Sequence, residues 1–426
     1  GGVVMSRYKP EHLTIRAYNV GFGDAFLLSF YYTAKKERHV LLDFGSTKAP
    51  GHTKNLSARL VKVAKDIQKR CDEKLTAVIA SHRHADHVSG FKTKKDGKGA
   101  GNIIAACKPS LVMQPWTEDP KAEQDAQAPT GWEKERRLHV QSLFDLQQLA
   151  EKLLAEGIEN KGKYLSARQI ENISEINLYN KSAVYNLRQM GPTEYLYYGA
   201  NTRLNRLLPG VKVTVLGPPT LEHTNTIRKQ RRRDWNEYWH LQLHNAVFAQ
   251  GKEPPFAKSF QEKGVKEYAN WLAGKLKNLR IEQLHAIVRI LDKALNNTSL
   301  ILLFEFGKQK LLFPGDAQIE SWEYALQGPN SKKNLRLLKD LTFYKVGHHG
   351  SLNATPKTLW KNLAVENKAD FTTLLSTRDG AHGSKRRGTE VPREPLVKAL
   401  KGKSTLVDMR EVHKKKELSI DIKFKA

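Results

Sequence analysis

The stretch Leu75–Gly90, LTAVIASHRHADHVSG, constrains the fold more than any other part of the chain. Leu75–Ala80 reads as a short buried strand centred on β-branched Val78 and Ile79, and it stops abruptly in His82, His84, Asp86 and His87. Histidines two apart on a chain still leaving its strand can point to the same side, and the Asp-His pair behind them adds two more donors. Four such side chains beside an apolar strand are costly to desolvate unless something cationic binds them. One histidine would be ordinary packing; four ligand-type residues within six positions point to a metal site.

The 426 residues suffice for one large domain or two, with ample material for a hydrophobic core. Lys and Arg number 71 against 44 Asp and Glu, a formal net charge of +27. A field of that sign gathers polyanions and suggests nucleic acid, though acidic membranes and acidic proteins are drawn as well. No apolar run approaches bilayer length, and the opening GGVVMSRYKP lacks an apolar stretch of signal-peptide length, so a cytoplasmic protein is expected. Cys71 and Cys107 stand in neither ligand nor redox spacing and read as reduced packing residues.

Taken in order, LTIRAYNV, AFLLSFYY and HVLLDFGS give a three-strand meander, with a Gly-Phe-Gly-Asp corner at Gly21–Asp24 and the third strand ending at Asp43. Leu56, Leu60, Val63, Ala64 and Ile67 recur at helical spacing, which predicts an amphipathic helix over Asn55–Arg70 before the chain returns to the sheet at Leu75. Phe91–Gly101, FKTKKDGKGAG, reads equally as a solvated loop or as a grip in which Lys92, Lys94, Lys95 and Lys98 hold a phosphate backbone beside the ligands. Residues 117–209 are expected as a helical insertion and 221–295 as a second, basic one. The second opens with Arg228, Arg231, Arg232 and Arg233, followed by Trp235, Tyr238 and Trp239; this run reads as a solvated helix end with a buried aromatic stripe, or as a nucleic-acid contact. Both insertions offer surfaces for a protein partner. TSLILLFEFG and KLLFPGDA form a hairpin ending at Asp316, LTFYKVGHHGS is a strand ending in His348 and His349, and FTTLLST leads to DGAHGSKRRG, with His382 beside Lys385, Arg386 and Arg387. STLVDMR and ELSIDIKF read as two closing strands.

Three strand ends thus carry metal-type ligands: SHRHADH, PGDA and KVGHHGS. The set resembles the metallo-β-lactamase superfamily, whose HxHxDH falls on His82, His84, Asp86 and His87. More narrowly it is similar to the soluble hydrolase domain of the DNA-uptake protein ComEC: VGFGDAFLL resembles that branch's opening VGQGDA, NNTSLILLFEFGKQKLLFPGDA its hairpin, and YKVGHHGS its closing block. These motifs run from about Thr14 to His382 and leave the two insertions outside. The resemblance implies an α/β fold, a four-layer αββα sandwich spanning 5–426, with a dinuclear site at one edge. It implies that His82 and His84 bind one metal, Asp86 and His87 the other, and that Asp316 bridges them, with Asp43 and Ser351 behind the ligands. One of His348 and His349 would be a ligand. The superfamily's further histidine has no clear counterpart here, and His382 is the candidate to fill that position.

The chemistry follows from the donors. Two divalent cations about 3.5 to 4 Å apart lower the pKa of a bridging water and stabilise attacked and leaving oxygens. Zinc suits a histidine-rich site without thiolate, and manganese is compatible. The catalytic set is expected to be Asp86, Asp316, His349 and His382, with the proton for the leaving group coming from His382 or from the non-ligand member of His348 and His349. The expected function is a metal-dependent phosphodiesterase acting on nucleic acid, DNA over RNA. The same chemistry on a small phosphodiester, ester or lactone, and a nucleic-acid or partner-binding module with a structural metal, are the rivals.

Overall fold

Alternation in the opening meander sorts its side chains to two faces. Strands β1 (Pro10–Tyr18), β2 (Ala25–Tyr32) and β3 (Lys36–Phe44) pair antiparallel. Leu27 and Leu41 pack with Leu60, Val63 and Ile67 of helix Leu56–Arg70, while Phe26, Leu28 and Leu42 join a second core on the other face. That helix starts where the sequence places it: the side chain of Asn55 accepts from the Ala58 amide at 2.9 Å, satisfying one of the amides a helix start leaves unpaired. Each fully buried leucine-sized side chain on its inner stripe contributes about 1.5–3 kcal/mol.

Strands β4 (Ala77–Ile79), β5 (Val112–Pro115) and β6 (Thr193–Leu196) then add in parallel beyond β3. The second sheet repeats the plan. Strands β7 (Lys212–Gly217), β8 (Ile301–Phe306) and β9 (Gln309–Phe313) are an antiparallel meander, continued in parallel by β10 (Phe343–Lys345), β11 (Thr372–Leu375) and β12 (Thr405–Asp408). Strand β13 (Ser419–Lys425) crosses back to pair antiparallel with β1, so the orders are β13-β1-β2-β3-β4-β5-β6 and β12-β11-β10-β9-β8-β7.

Phe26, Leu28, Leu42 and Ile79 from the first sheet meet Leu302, Phe304, Phe313 and Phe343 from the second in one apolar cluster between the sheets. On the outer face of the second sheet, Ile301, Leu303, Leu312 and Tyr344 pack against Trp322, Ala325, Leu359 and Leu400 of the flanking helices. The architecture is therefore the four-layer α/β sandwich expected from the sequence, helices outside and two mixed sheets within. Parallel strands covered on both faces explain why Ala77–Ala80 is an unbroken apolar run and why successive residues Leu374 and Leu375 are both buried. Cys71 and Cys107 are buried free thiols.

The computed structural model describes residues 9–33, 36–53, 55–119, 180–220, 298–351, 355–381 and 390–426. The chain divides into two compact units, Gly1–Trp116 with Asn180–Pro219 and Asn296–Ala426, and Thr117–Tyr179 with Thr220–Leu295. Within the stretch read from sequence as an insertion over 117–209, the first unit contains helix Lys181–Gln189 and β6, which completes the sheet edge. Two further basic helices, Ser331–Leu337 and Glu394–Lys403, add to the elements legible in the sequence. Among the described residues no helix is long and apolar enough to cross a membrane.

Candidate metal centre

The ends of β3, β4, β9 and β10 lie along one edge of the sandwich, and each delivers a polar side chain there. Beyond β4 the chain turns into the short helix Ala85–Val88, which carries Asp86 and His87. Gly45, just past β3, makes that turn possible: a Cβ there would lie 2.4 Å from the Ala85 carbonyl oxygen and 2.6 Å from the carbonyl carbons of Asp86 and His87. Asp316 follows β9, and His349 follows β10 in a turn where His348 and His349 have φ of 41° and 52°. Asp43 has φ of 53°. Left-handed backbone costs a non-glycine residue about 1–2 kcal/mol, so three such residues at one edge mark a place where geometry is held against local preference.

Asp86, His87, Asp316 and His349 are brought together with their ligand atoms within 4.8 Å of one another. His87 Nε2 is 3.1 Å from Asp316 Oδ2, His349 Nε2 is 2.9 Å from Asp86 Oδ2, and His349 Nε2 is 3.7 Å from Asp316 Oδ2. Both imidazoles are held by their other nitrogen. His87 Nδ1 donates to Asp43 Oδ2 at 2.7 Å, and His349 Nδ1 donates to the Ser376 carbonyl at 2.9 Å. Those bonds select the tautomer in which Nε2 faces the cluster with its lone pair, as metal ligation requires. Asp43 is itself fixed by the Ser81 amide and hydroxyl, both at 2.7 Å. The His348 amide donates to Asp316 Oδ1 at 3.1 Å, leaving Oδ2 for the cluster.

His82 and His84 flank this group without joining it: the His82 ring centroid is 4.2 Å from that of His87 and 4.6 Å from that of His84. Among the described residues, Asp86 Oδ1 and His82 Nε2 are buried with no hydrogen-bond partner. Orphaned donor atoms of that kind, in a set of imidazoles and carboxylates, fit a divalent cation. Of the pair read from sequence as alternatives, His349 lies in the four-donor group, whereas His348 is outside it, with its Nδ1 hydrogen-bonded to Ser351 Oγ at 2.9 Å.

Electrostatics agree with the geometry. Burial pushes His82 well below the usual histidine value, reinforced by His87 and His84, and burial takes His84 to about 4. Burial also opposes charge on His87, but Asp316, Asp43, Asp86 and Asp24 outweigh it and hold the ring well above the usual value. Conversely, burial disfavours ionised Asp86 and Asp316, yet His87 and His349 keep both carboxyls below the usual carboxylate range. The carboxylates that favour positive charge on His87 and His349 would equally favour a cation among them.

Two buried charges here have no role assigned by the sequence motifs. Asp24, at the end of the Gly-Phe-Gly-Asp corner, is fully buried behind the ligands, with Oδ2 3.7 Å from His87 Nδ1. Lys345, the last residue of β10, is 1% exposed, forms an ion pair with Asp24 and lies 3.8 Å from Asp316 Oδ1. A lysine inside a strand that otherwise reads as core, two residues before a turn, is the signal that marks it, since lysine is buried only when paired. Lys94, Lys95 and Lys98 are exposed on the loop after the ligand turn, and Lys92 is half-buried at its base. His382, Lys385, Arg386, Arg387, Arg228, Arg231, Arg232 and Arg233 lie outside the described residues. No protein-family model matches the chain, and no curated protein matches it.

Proposed function

We propose that the protein is a metal-dependent hydrolase of the metallo-β-lactamase type, a phosphodiesterase acting on nucleic acid and on DNA in particular. The observation that carries this reading is the convergence of Asp86, His87, Asp316 and His349 at one buried point, supplied by the ends of three strands, with each imidazole oriented from behind. Asp86, His87, Asp316 and His349 would hold one cation, and His82 and His84, with Asp316 shared, are the donors for a second. Zinc or manganese bound there supplies Lewis acidity toward a phosphoryl oxygen and lowers the pKa of water.

Charge supports two ions. Among the described residues, Asp24, Asp43, Asp86 and Asp316 are buried, against the one buried ammonium of Lys345. One divalent cation leaves that set negative, which would repel a phosphodiester; two leave it positive, which attracts one. The remaining steps fall to the chain's own side chains. Asp86 and Asp316 would orient the attacking water, and His348, whose charged form burial disfavours, would take up the proton that this water loses and pass it by way of Ser351 Oγ to the leaving oxygen. Lys94, Lys95 and Lys98, exposed beside the ligand turn, would grip the phosphate backbone, and the net charge of +27 would draw a polyanion in.

The deciding experiment incubates the purified protein with single- and double-stranded DNA and RNA in Mn²⁺, Mg²⁺, Zn²⁺ or EDTA. Cleavage of DNA that needs a divalent ion and stops in EDTA is expected. No cleavage of any nucleic acid with any metal, alongside turnover of a small phosphodiester or lactone, overturns the reading.

A further inference from the structure

His87 belongs to two groups of potential ligands. Its Nε2 faces Asp86, Asp316 and His349, and its Nδ1 faces Asp43 and Asp24, whose carboxylate oxygens also lie within 4.8 Å of it and of one another. By spacing alone the Asp24–Asp43–His87 group is as able to take a cation as the group in front of it, with the two carboxylates as its donors, since His87 Nδ1 gives Asp43 a proton. What distinguishes it is Lys345. The ammonium enters from β10, 1% exposed, forms an ion pair with Asp24 Oδ2 and lies 3.8 Å from Asp316 Oδ1. Asp24 receives no hydrogen bond to either carboxylate oxygen from any other described residue. Its place is fixed by backbone, the Asp24 amide donating to the Asp86 carbonyl at 2.8 Å and the Gly45 amide donating to the Asp24 carbonyl at 2.9 Å. A carboxylate so held, so buried and so bare of donors requires a counter-charge, and the one present is covalently part of the chain.

We propose that Lys345 is a positioning residue that serves as the built-in cation of the rear acidic group: its ammonium fills the place of a metal between Asp24 and Asp316, so that divalent ions go only to the front of His87. This rests on the reading of the front cluster as a metal centre. The arrangement has a second consequence. With Lys345 and the His348 amide both on the Oδ1 side of Asp316, Oδ2 is the oxygen turned to His87 and His349.

The test counts metal rather than turnover. Metal-stripped parent, Lys345→Met, Asp24→Asn and the double variant are loaded with Mn²⁺, freed of excess, and assayed for bound equivalents by elemental analysis, for affinity by chelator competition, and for melting temperature with and without Mn²⁺. Methionine keeps much of the lysine stem and removes its charge. Lys345→Met is expected to bind one more equivalent than the parent and to melt lower without metal, recovering when Mn²⁺ is added. The double variant, a neutral pair, is expected to return to the parent's count. In Asp24→Asn the freed ammonium turns to Asp316 and competes with the metal, so affinity is expected to fall by about 10–100-fold, the range seen when partners behind ligands are lost. A Lys345→Met protein that binds only as many equivalents as the parent overturns the proposal. Should that variant fail to fold with and without Mn²⁺, an Asp24→Asn protein whose affinity equals the parent's overturns it instead. A parent that binds Mn²⁺ but cleaves no nucleic acid defeats the proposed nuclease activity and leaves this inference standing.

Discussion

The two halves of the sandwich run the same course, an antiparallel meander followed by three parallel strands, yet they equip the shared edge differently. In the first half the acid at the end of the meander, Asp43, turns behind the cluster and orients His87, while the donors come from a compact turn on the next connection. In the second half the acid after the meander, Asp316, faces the cluster directly, and the next connection gives a single donor, His349, on left-handed backbone. Behind His87 stands the Asp43 carboxylate, and behind Asp316 stands the ammonium of Lys345. The same scaffold position can thus face the cluster or support it from behind. The two acids differ in placement: Asp43 lies within β3, and Asp316 lies beyond β9, after Gly315 at φ 53°.

If that division of labour is real, the two acids fail unequally. Asp316→Ala removes the second half's direct donor and is expected to weaken metal binding by more than about 100-fold, beyond the range for supporting residues. Asp43→Asn keeps a residue that tolerates φ of 53° and keeps one oxygen for the Ser81 amide, but it presents no full carboxylate to His87 Nδ1. Its expected loss is about 10–100-fold. Chelator competition on both variants, with circular dichroism to confirm the fold, measures the contrast. Equal losses would mean that Asp43 and Asp316 are equivalent after all and that the halves are not specialised.

Much of this division is legible in the residues themselves. His82–His87 announce themselves because four donors crowd a strand end, and the meanders, the apolar strands and the amphipathic stripe of Leu60, Val63 and Ile67 are readable as elements, whereas their αββα stacking was expected only from the resemblance of the motifs. Strand β6 is hidden, because Thr193–Leu196 is a four-residue edge strand whose apolar neighbours are helical, and its pairing with β5 is a tertiary fact. Asp24 and Lys345 are hidden for a different reason. They lie in opposite halves of the chain, and a charge is recognisable as buried only when its partner is known. The choice between His348 and His349 is likewise invisible, since adjacent residues of one turn are separated only by backbone angles and by the Ser376 carbonyl that takes the His349 Nδ1 proton.

A smaller effect probes how tightly the first half's turn is seated. Gly45→Ala drives a methyl against backbone atoms of Ala85, Asp86 and His87, where no side chain can swing aside. Overpacking of this kind is expected to cost about 1–3 kcal/mol, read from urea denaturation, and to weaken metal binding in step, because the atoms displaced belong to the ligand turn. Lost stability with unchanged affinity would show that the turn moves as a rigid body and that the donors follow it.

The smallest effect lies in the first half's sheet, outside the four-donor group. His39, on β3, is 6% exposed, hydrogen-bonded through Nδ1 to Ser29 Oγ at 2.9 Å, and burial takes its pKa down to about 4. Glu37 approaches Nε2 at 3.2 Å, but at 43% side-chain exposure it does not offset the burial. Well above pH 6.5 the ring is neutral folded and unfolded and contributes no pH dependence. As pH falls from about 6.5 toward 4, the unfolded chain takes up a proton that the folded chain refuses, so stability declines. Between about pH 7 and 5.5 that decline amounts to about 1 kcal/mol. His39→Gln keeps polarity without titrating and should flatten the acid limb by that amount while leaving metal affinity at pH 7 unchanged. His413, which burial also takes to about 4, is present in both proteins and cancels from the difference. A His39→Gln protein with the parent's full acid slope would place the titrating group elsewhere, and one with altered metal affinity would mean that this part of the sheet is coupled to the cluster through β3.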